Sequence, residues 1–307
     1  MKRKVSRIGP ATLMVSLPSQ WVKENKVEKG QEIDVVPRGN KLLIQTDTAA
    51  KTYKTTLDLR TPTTATQNYI GHQARTVKQL YRFGVDEITI QYNDKRVIRQ
   101  IQHEIQRQLL GFEIVSQGDK VCTIKNIAAG LDSEFNAVLR RLFFLTMSMA
   151  DDALDAMKKK DKERLEEMPS MEMTQNKLHN LCERMLNKHG FEDNKCTTLI
   201  YALVRQLEEV GDALRDVSLY ALERNLNMPK PFLEKFASIN KELRAFHDVF
   251  YSYDIDKASS HKERHNALRK ECIELLTKAK PGDGRYYHYL VVLLLKINDM
   301  GASFRLV

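Results

Sequence analysis

The sequence predicts a multidomain protein with a small N-terminal β domain, a small α/β domain and an all-α C-terminal domain of six helices. Short β-type stretches separated by turn residues occupy residues 1–48, and strand-like and helix-like stretches alternate over residues 52–127. Helical periodicity then runs over residues 131–307. A chain of 307 residues is long enough for two or three domains with buried cores.

The first section is β-rich and short. Its predicted strands lie at residues 12–17, 32–37 and 41–45, its one helix at 20–25, and its turns at 29–30 and 38–40. Pro18 followed by Ser19 indicates the start of the helix. So few residues bury little area alone, and pairing of two copies would supply the missing core.

The second section has the order βαβαββ, which is typical of a small α/β sandwich. Its strands are predicted at residues 52–59, 86–92, 112–116 and 120–125, and its helices at 65–81 and 94–110. In the second helix the core face is predicted to consist of Val97, Ile101, Ile105 and Leu109. This section has neither a glycine-rich phosphate loop nor a nucleophile–base pair, so we expect a spacer or dimerisation role.

The third section is helical to the end. Its helices are predicted at residues 132–158, 161–188, 194–226, 231–254, 256–278 and 284–305. The prolines in Met228-Pro229-Lys230-Pro231 divide them into two groups of three. This division predicts an internal repeat, with repeat one at residues 131–228 and repeat two at 231–307.

The positive net charge is confined to the front of the chain. Residues 131–307 contain 28 basic and 28 acidic side chains, whereas residues 1–130 contain 21 basic and 12 acidic ones. A basic front half on a neutral back half is typical of a polyanion-binding module joined to another domain. A solvated basic surface without a ligand is the alternative.

Hydropathy and cysteine content exclude several classes of protein. The longest apolar run, YLVVLLL near Leu290, is too short to cross a bilayer, and no signal segment opens the sequence. The four cysteines lie far apart without metal-binding spacing. We therefore expect a cytoplasmic protein without membrane insertion, zinc fingers or disulfides.

The first section resembles the AbrB/SpoVT/MazE family of swapped-hairpin DNA-binding domains. The positions that carry the resemblance are Lys4-Val5, Gly9, Leu17-Pro18, residues 20–23, Gly30 and Ile33. The resemblance implies a homodimer that interlaces its hairpins and presents basic residues of the N-terminal strand to DNA. The matching residues are Lys2, Arg3, Lys4 and Arg7. Contacts from such residues to phosphates give affinity without sequence information.

The stretch QLEEVGDALRD at residues 206–216 contains Glu208, Asp212 and Asp216, one above another on a helix, and a glycine in its middle. Like charges at this spacing repel, and a central glycine costs about 1 kcal/mol relative to alanine. On the preceding helix Glu172 and Asn176 are also four residues apart, and His179 follows on the same face.

Oxygen ligands at this spacing on neighbouring helices can converge on one cation, which would remove the repulsion. Gly211 would then allow a neighbouring helix to come close. The alternative is a solvated acidic face opposite the core positions of the helix. Those core positions are predicted as Leu199, Leu203, Gln206, Val210, Ala213 and Val217.

LEEVGD also resembles the signature of PhoU-type phosphate-uptake regulators, in the third helix of a three-helix repeat. The resemblance implies a surface metal cluster of iron, zinc, manganese or magnesium. Its ligands here are predicted as Glu172, Asn176, Glu208 and Asp212, with an asparagine where the family has an aspartate. Weaker candidate ligands are His179, Asp216, Glu263 and Asp299, the last two in repeat two, where the partner positions hold Ala267 and Leu295.

The two resemblances together predict a transcriptional regulator of phosphate uptake that binds DNA as a homodimer. In this hypothesis the helical domain senses a phosphate transporter or its signalling kinase, and metal or partner binding changes the spacing of the DNA-binding halves. An adaptor that regulates the transporter or kinase without specific DNA binding is the alternative. Because no nucleophile–base arrangement is present, we expect no enzymatic activity.

Overall fold

The computed structural model describes residues 2–38, 41–46, 52–62, 64–128, 130 and 134–304. It divides the chain into two compact units, Met1–Thr52 and Tyr53–Val307. No described helix is long and apolar enough to span a membrane.

The first unit contains two antiparallel hairpins and one short helix. Strands β1 (Val5–Ile8) and β2 (Thr12–Val15) pair with Val5 opposite Val15. Helix α1 (Ser19–Glu24) follows Pro18, and β3 (Asp34–Arg38) then pairs with β4 (Lys41–Gln45). Part of the predicted turn at residues 38–40 lies outside the described residues.

Large apolar side chains of the first unit lie exposed on its strands. They are Val5, Ile8, Leu13, Met14, Val15, Val35 and Leu42. Among the side chains that are described in this unit, none is fully buried. The two hairpins therefore do not form a hydrophobic core by themselves, as expected for so short a segment.

The second unit begins with a four-stranded sheet of order β5-β6-β8-β7. Strand β5 runs parallel to β6, while β8 is antiparallel to both β6 and β7. The elements are β5 (Lys54–Asp58), α2 (Gln67–Arg82), β6 (Glu87–Gln91), α3 (Lys95–Gln108), β7 (Phe112–Gln117) and β8 (Val121–Asn126). The parallel pair requires a crossover connection, which α2 supplies.

Helices α2 and α3 pack together on the sheet around a common apolar core. The predicted core residues of α3, from Val97 to Leu109, are all buried. Asp94 caps α3 by accepting a hydrogen bond from the backbone N–H of Arg96, which satisfies a donor that the helix itself leaves unpaired. Both helices also contact α6 (Met168–His189) of the C-terminal helical region.

The remainder of the second unit is helical. Its described helices are α4 (Phe135–Lys159), α5 (Lys162–Glu166), α6 (Met168–His189), α7 (Thr197–Glu223), α8 (Lys230–Tyr251), α9 (Ile255–Thr277) and α10 (Gly284–Met300). Helices α4, α6 and α7 pack against one another, and so do α8, α9 and α10. Contacts of α4 with α8 and of α7 with α10 join the two groups into one core.

The single helix predicted at residues 161–188 is instead two helices, α5 and α6. Pro169 stands in the first turn of α6, where a residue without an N–H is tolerated, and it cannot continue the hydrogen bonding of α5. Before α5, Lys160 takes a left-handed conformation with φ of 57° and ends α4.

Candidate functional site

Acidic side chains of α6 and α7 meet around the guanidinium of Arg215. Nη1 of Arg215 lies 3.0 Å from Oε1 of Glu172 on α6 and 2.8 Å from Oδ1 of Asp212 on α7. Asn176 donates its side-chain amide to the same Oε1 of Glu172. Two of the four predicted ligands thus contact one positive charge that the chain itself supplies, and a third is hydrogen-bonded to one of them.

The fourth predicted ligand, Glu208, pairs with a different arginine. Its Oε2 lies 3.5 Å from Nη1 of Arg205, and its side chain is only 15% exposed. Asp216 accepts hydrogen bonds from Nε and Nη2 of Arg215 at 3.0 and 2.8 Å. Two arginines of α7 therefore relieve the repulsion within the acidic row, mostly at the three-residue spacing that favours ion pairs on a helix.

Burial changes the pKa of the Glu172 carboxyl group. Removal from water raises the pKa of Glu172, the positive charge of Arg215 opposes this effect, and Asp212 reinforces it. Glu172 therefore takes up a proton more readily than an exposed glutamate. A metal ion at this position would compete with that proton as well as with the arginine.

The donor atoms of the acidic cluster are engaged by side chains of the protein itself. Among the residues that the structure describes, no three His, Cys, Asp or Glu side chains come together in a way that could hold a metal ion. One carboxylate oxygen of Glu172 and one of Asp212 are hydrogen-bonded to Arg215. A metal on the four predicted ligands requires this guanidinium to move away, and such a site stays a prediction.

The buried stripe of α7 differs in part from its predicted position. Leu203, Val210, Ala213 and Val217 are buried as expected, but Leu199 is 38% exposed, which corrects the prediction for that residue. Ile200, Val204, Leu207 and Leu214 complete the buried face instead. The core face is therefore wider than a single apolar stripe because α4, α5, α6 and α10 all pack on α7.

Gly211 lies where α7 comes close to α6. The side-chain amide of Gln175 on α6 donates to the carbonyl oxygen of Leu207 and to Oγ1 of Thr146, each at 2.8 Å. Gln175 thereby ties α4, α6 and α7 together in the core. This approach of a neighbouring helix agrees with the role expected for Gly211.

His179, a weaker predicted ligand, belongs to a buried ionic group instead of the acidic cluster around Arg215. Its Nε2 lies 3.0 Å from Oε1 of Glu183, and Arg82 on α2 approaches Oε2 of Glu183 at 2.9 Å. Burial alone would raise the pKa of Glu183, but the bond to His179 and the charge of Arg82 hold it below its usual value. The ion pair between Arg82 and Glu183 connects α6 to the α/β part of the unit.

A second buried arginine strengthens this connection. Arg184 on α6 donates to the carbonyl oxygens of Tyr81 and Val85, at 3.1 and 2.7 Å, and to the carboxylate of Asp86. Lys188, one turn later, approaches the same carboxylate at 2.7 Å. We call Glu183, Arg184, Lys188, Arg82 and Asp86 the junction cluster. Its burial was not predicted from the sequence because charged residues on a helix usually face water.

The predicted ligands of the second helical group lie on its surface. Glu263 on α9 and Asp299 on α10 are both exposed. Two histidines of α9 that the sequence analysis did not single out, His261 and His265, are buried instead. Their spacing of four residues in HKERH is a signal that was visible in the sequence.

The predicted DNA-binding residues are exposed in the first unit. Lys2, Arg3 and Lys4 precede β1, and Arg7 lies on β1 opposite Leu13 of β2. Three of these charges therefore belong to the chain end and one to a hydrogen-bonded strand.

Comparison with known proteins bears on the helical region alone. No curated protein and no solved structure shows a significant match to this chain. A match to a protein family begins at Leu139 within α4 and ends at Ala221 within α7, so it includes the cluster around Arg215 and most of α6 and α7. Residues 139–221 match the PhoU domain family, which confirms the resemblance carried by LEEVGD.

Proposed function

We propose that this protein is a DNA-binding transcriptional regulator of phosphate uptake. The match of residues 139–221 to the PhoU domain family supports a role in the regulation of phosphate uptake. The matched range does not include the first unit, so DNA binding rests on the chemistry of that unit and on its resemblance to swapped-hairpin domains.

The first unit supports a homodimer that binds DNA. Its exposed apolar strand residues, such as Leu13 and Val35, need a covering partner, and a second copy of the same hairpins offers matching apolar strands. Lys2, Arg3, Lys4 and Arg7 would then be present twice, and such a concentration of exposed positive charge favours phosphate contacts.

The proposed organisation has three functional parts within the two compact units. Residues 1–48 bind DNA and dimerise, 52–127 form the α/β spacer, and 131–307 form two three-helix repeats. The mutual packing of α4, α6 and α7, and separately of α8, α9 and α10, supports the repeats. The short helix α5 is then an insertion in repeat one.

Helix α6 is the proposed route by which a signal reaches the α/β part. It carries Glu172 and Asn176 near its beginning, and Glu183 and Arg184 of the junction cluster further along. A cation or protein partner that draws Glu172 away from Arg215 would shift α6 and strain the bonds from Arg184 to Asp86. Such coupling requires a ligand with different affinity for the two arrangements.

A second candidate function is an adaptor that regulates a phosphate transporter or its signalling kinase by protein–protein contact. The confinement of the family match to α4–α7 favours it, because that part of the chain contains no predicted DNA-binding residue. In this case the first unit dimerises the protein and binds nucleic acid weakly and without preference.

DNA binding across a salt series separates the two functions. The full chain and a chain that starts at Tyr53 are each titrated with the promoter region of a phosphate-transport operon and with an unrelated duplex. We expect the full chain to prefer the promoter and to lose affinity steeply with salt, while the shortened chain does not bind. Equally weak binding of both chains to both duplexes would support the adaptor.

A further inference from the structure

A cavity of about 340 Å³ lies between α9 and the C-terminal end of α10. His261 and His265 of α9 line one side, and Asn298, Gly301 and Ala302 line the other. The final carbonyl groups of a helix carry a partial negative charge, so the end of α10 favours a cation in this cavity and opposes the effect of the Lys262 ammonium, which also lines it.

His261 is held in one orientation by a buried carboxylate. Its Nδ1 lies 2.7 Å from Oε2 of Glu242 on α8, and the other oxygen of Glu242 accepts a hydrogen bond from Nε of Arg264 at 2.8 Å. Since the carboxylate accepts the Nδ1 proton, Nε2 of a neutral His261 keeps its lone pair.

His265 has no partner for either ring nitrogen, although only 1% of its surface is exposed. Both ring nitrogens of His265 are therefore open to a ligand, and a neutral ring offers a lone pair beside the cavity. A buried polar group without a partner is costly, so a ligand that occupies it stabilises the fold.

We propose that His261 and His265 bind a transition-metal ion, with Zn²⁺ as the reference ion, in the cavity between α9 and α10. Two histidines four residues apart on one helix present their rings to the same side, as in helical zinc sites. The two ring centroids lie 6.0 Å apart. Glu242 acts on His261 as the carboxylates of metal–histidine pairs do, by fixing the tautomer and the ring orientation.

The remaining coordination positions are left to oxygen donors. In the described part of the chain no third His, Cys, Asp or Glu joins the pair. Asn298 lines the cavity, and its Oδ1 accepts a hydrogen bond from Lys262. A two-histidine site completed by an amide oxygen or by water keeps a position open for exchange. The site is separate from the acidic cluster around Arg215 and does not depend on DNA binding.

Zn²⁺ titration of the metal-free full chain tests the proposal. A chromophoric chelator sets the concentration of free Zn²⁺ and reports it. The variants are His261→Ala, His265→Ala and, as a matched control, His288→Ala, which removes an exposed histidine from α10. All proteins in this titration also carry Glu208→Ala/Asp212→Ala, which removes the acidic cluster as a second metal site, and we expect one Zn²⁺ per chain in this background with and without His288→Ala. Loss of either site histidine should weaken Zn²⁺ binding at least tenfold. Metal affinity typically falls about 10–100-fold even when only the hydrogen-bond partner of a ligand is removed.

Two further measurements keep the test independent of folding defects. Glu242→Gln keeps the size of the side chain, and we expect about tenfold weaker Zn²⁺ binding because the His261 ring loses its carboxylate partner. Cu²⁺ bound to the unaltered chain should show hyperfine coupling to two imidazole nitrogens in its electron paramagnetic resonance spectrum. Equal Zn²⁺ affinity in all variants, or a Cu²⁺ spectrum without nitrogen coupling, would overturn the proposal and leave a cavity filled by water.

Discussion

Gln175 of α6 lies directly against Gly211 of α7. A Cβ atom on Gly211 would stand 1.6 Å from Oε1 and 2.5 Å from Nε2 of Gln175, which is far inside van der Waals contact. The glycine in the middle of the acidic row is therefore explained by packing between helices. Its cost in helix propensity is offset by the two buried hydrogen bonds of the Gln175 amide.

Gly211→Ala should destabilise the protein even though alanine favours the helix. The new methyl group must displace the Gln175 amide from Thr146 and Leu207, which leaves buried polar groups unpaired at a cost of about 1–3 kcal/mol each. After the gain of about 1 kcal/mol from alanine, we expect a net loss of about 2 kcal/mol in the free energy of unfolding. Urea denaturation followed by circular dichroism measures it.

Gly71→Ala is the matched control because Gly71 also lies within a helix, yet nothing stands within 4 Å of its Cβ position. This change should stabilise the protein slightly. The double variant Gly211→Ala/Gln175→Ala should be more stable than the sum of the two single changes predicts, because the clash is absent. Equal effects of Gly71→Ala and Gly211→Ala would contradict the packing explanation.

The features that follow local periodicity were predictable from the sequence. The core face of α3 from Val97 to Leu109 is one example, and the position of LEEVGD in a PhoU domain is another. The break before α6 was missed because the charged residues around Pro169 continue a helical pattern. Pro169 nevertheless ends the preceding helix, because a proline has no N–H to continue the hydrogen bonding of the preceding turn.

The missed parts of the site depend on contacts between distant segments. Arg184 and Glu183 look like the polar face of an exposed helix, yet both are fully buried because α2 and α3 cover them. Arg215 was not assigned a role because the sequence alone does not distinguish a site residue from an arginine that forms surface ion pairs with three neighbouring acids. Only the packing of α6 on α7 brings Glu172 to it.

Asp86→Asn should weaken the junction between the α/β part and α6. The carboxylate accepts hydrogen bonds from Arg184, from Lys188 and from the backbone N–H of Tyr53. Removing its charge breaks the buried ion pair with Arg184, and such a loss costs about 3–5 kcal/mol. Chemical denaturation measures it. Asp58→Asn, which breaks an exposed pair with Arg60, should change the midpoint little.

The carboxylate of Asp86 should make the stability of the protein depend on pH. Burial would raise the pKa of Asp86, but Lys188, the Tyr53 N–H and Arg184 together hold it below 3.8. The unfolded chain therefore takes up a proton at higher pH than the folded one. The stabilisation is complete above about pH 4 and is lost as the pH falls through the folded-state pKa. The stability difference between the unaltered protein and Asp86→Asn should shrink in this acidic range, and a constant difference would argue against it.

Metal at the acidic cluster is expected to compete with Arg215. In a His261→Ala/His265→Ala background, which removes the other proposed site, elemental analysis should find bound metal that disappears in Glu208→Ala/Asp212→Ala. Arg215→Gln should increase metal affinity because the oxygens of Glu172 and Asp212 become available. Near-zero metal in all three proteins would leave the cluster as ion pairs only.

Leu13→Asp should convert the dimer to a monomer. Leu13 on β2 is 67% exposed, and in the proposed homodimer it is covered by the second copy, so a carboxylate there would be buried without a partner. Sedimentation velocity measures the change in mass. Ile255→Asp is the matched control, since Ile255 is 59% exposed at the start of α9, outside the first unit, and should leave the dimer intact. An unaltered protein that sediments as a monomer would remove the basis for paired DNA-binding hairpins, because each short unit would then lack the core that two copies supply.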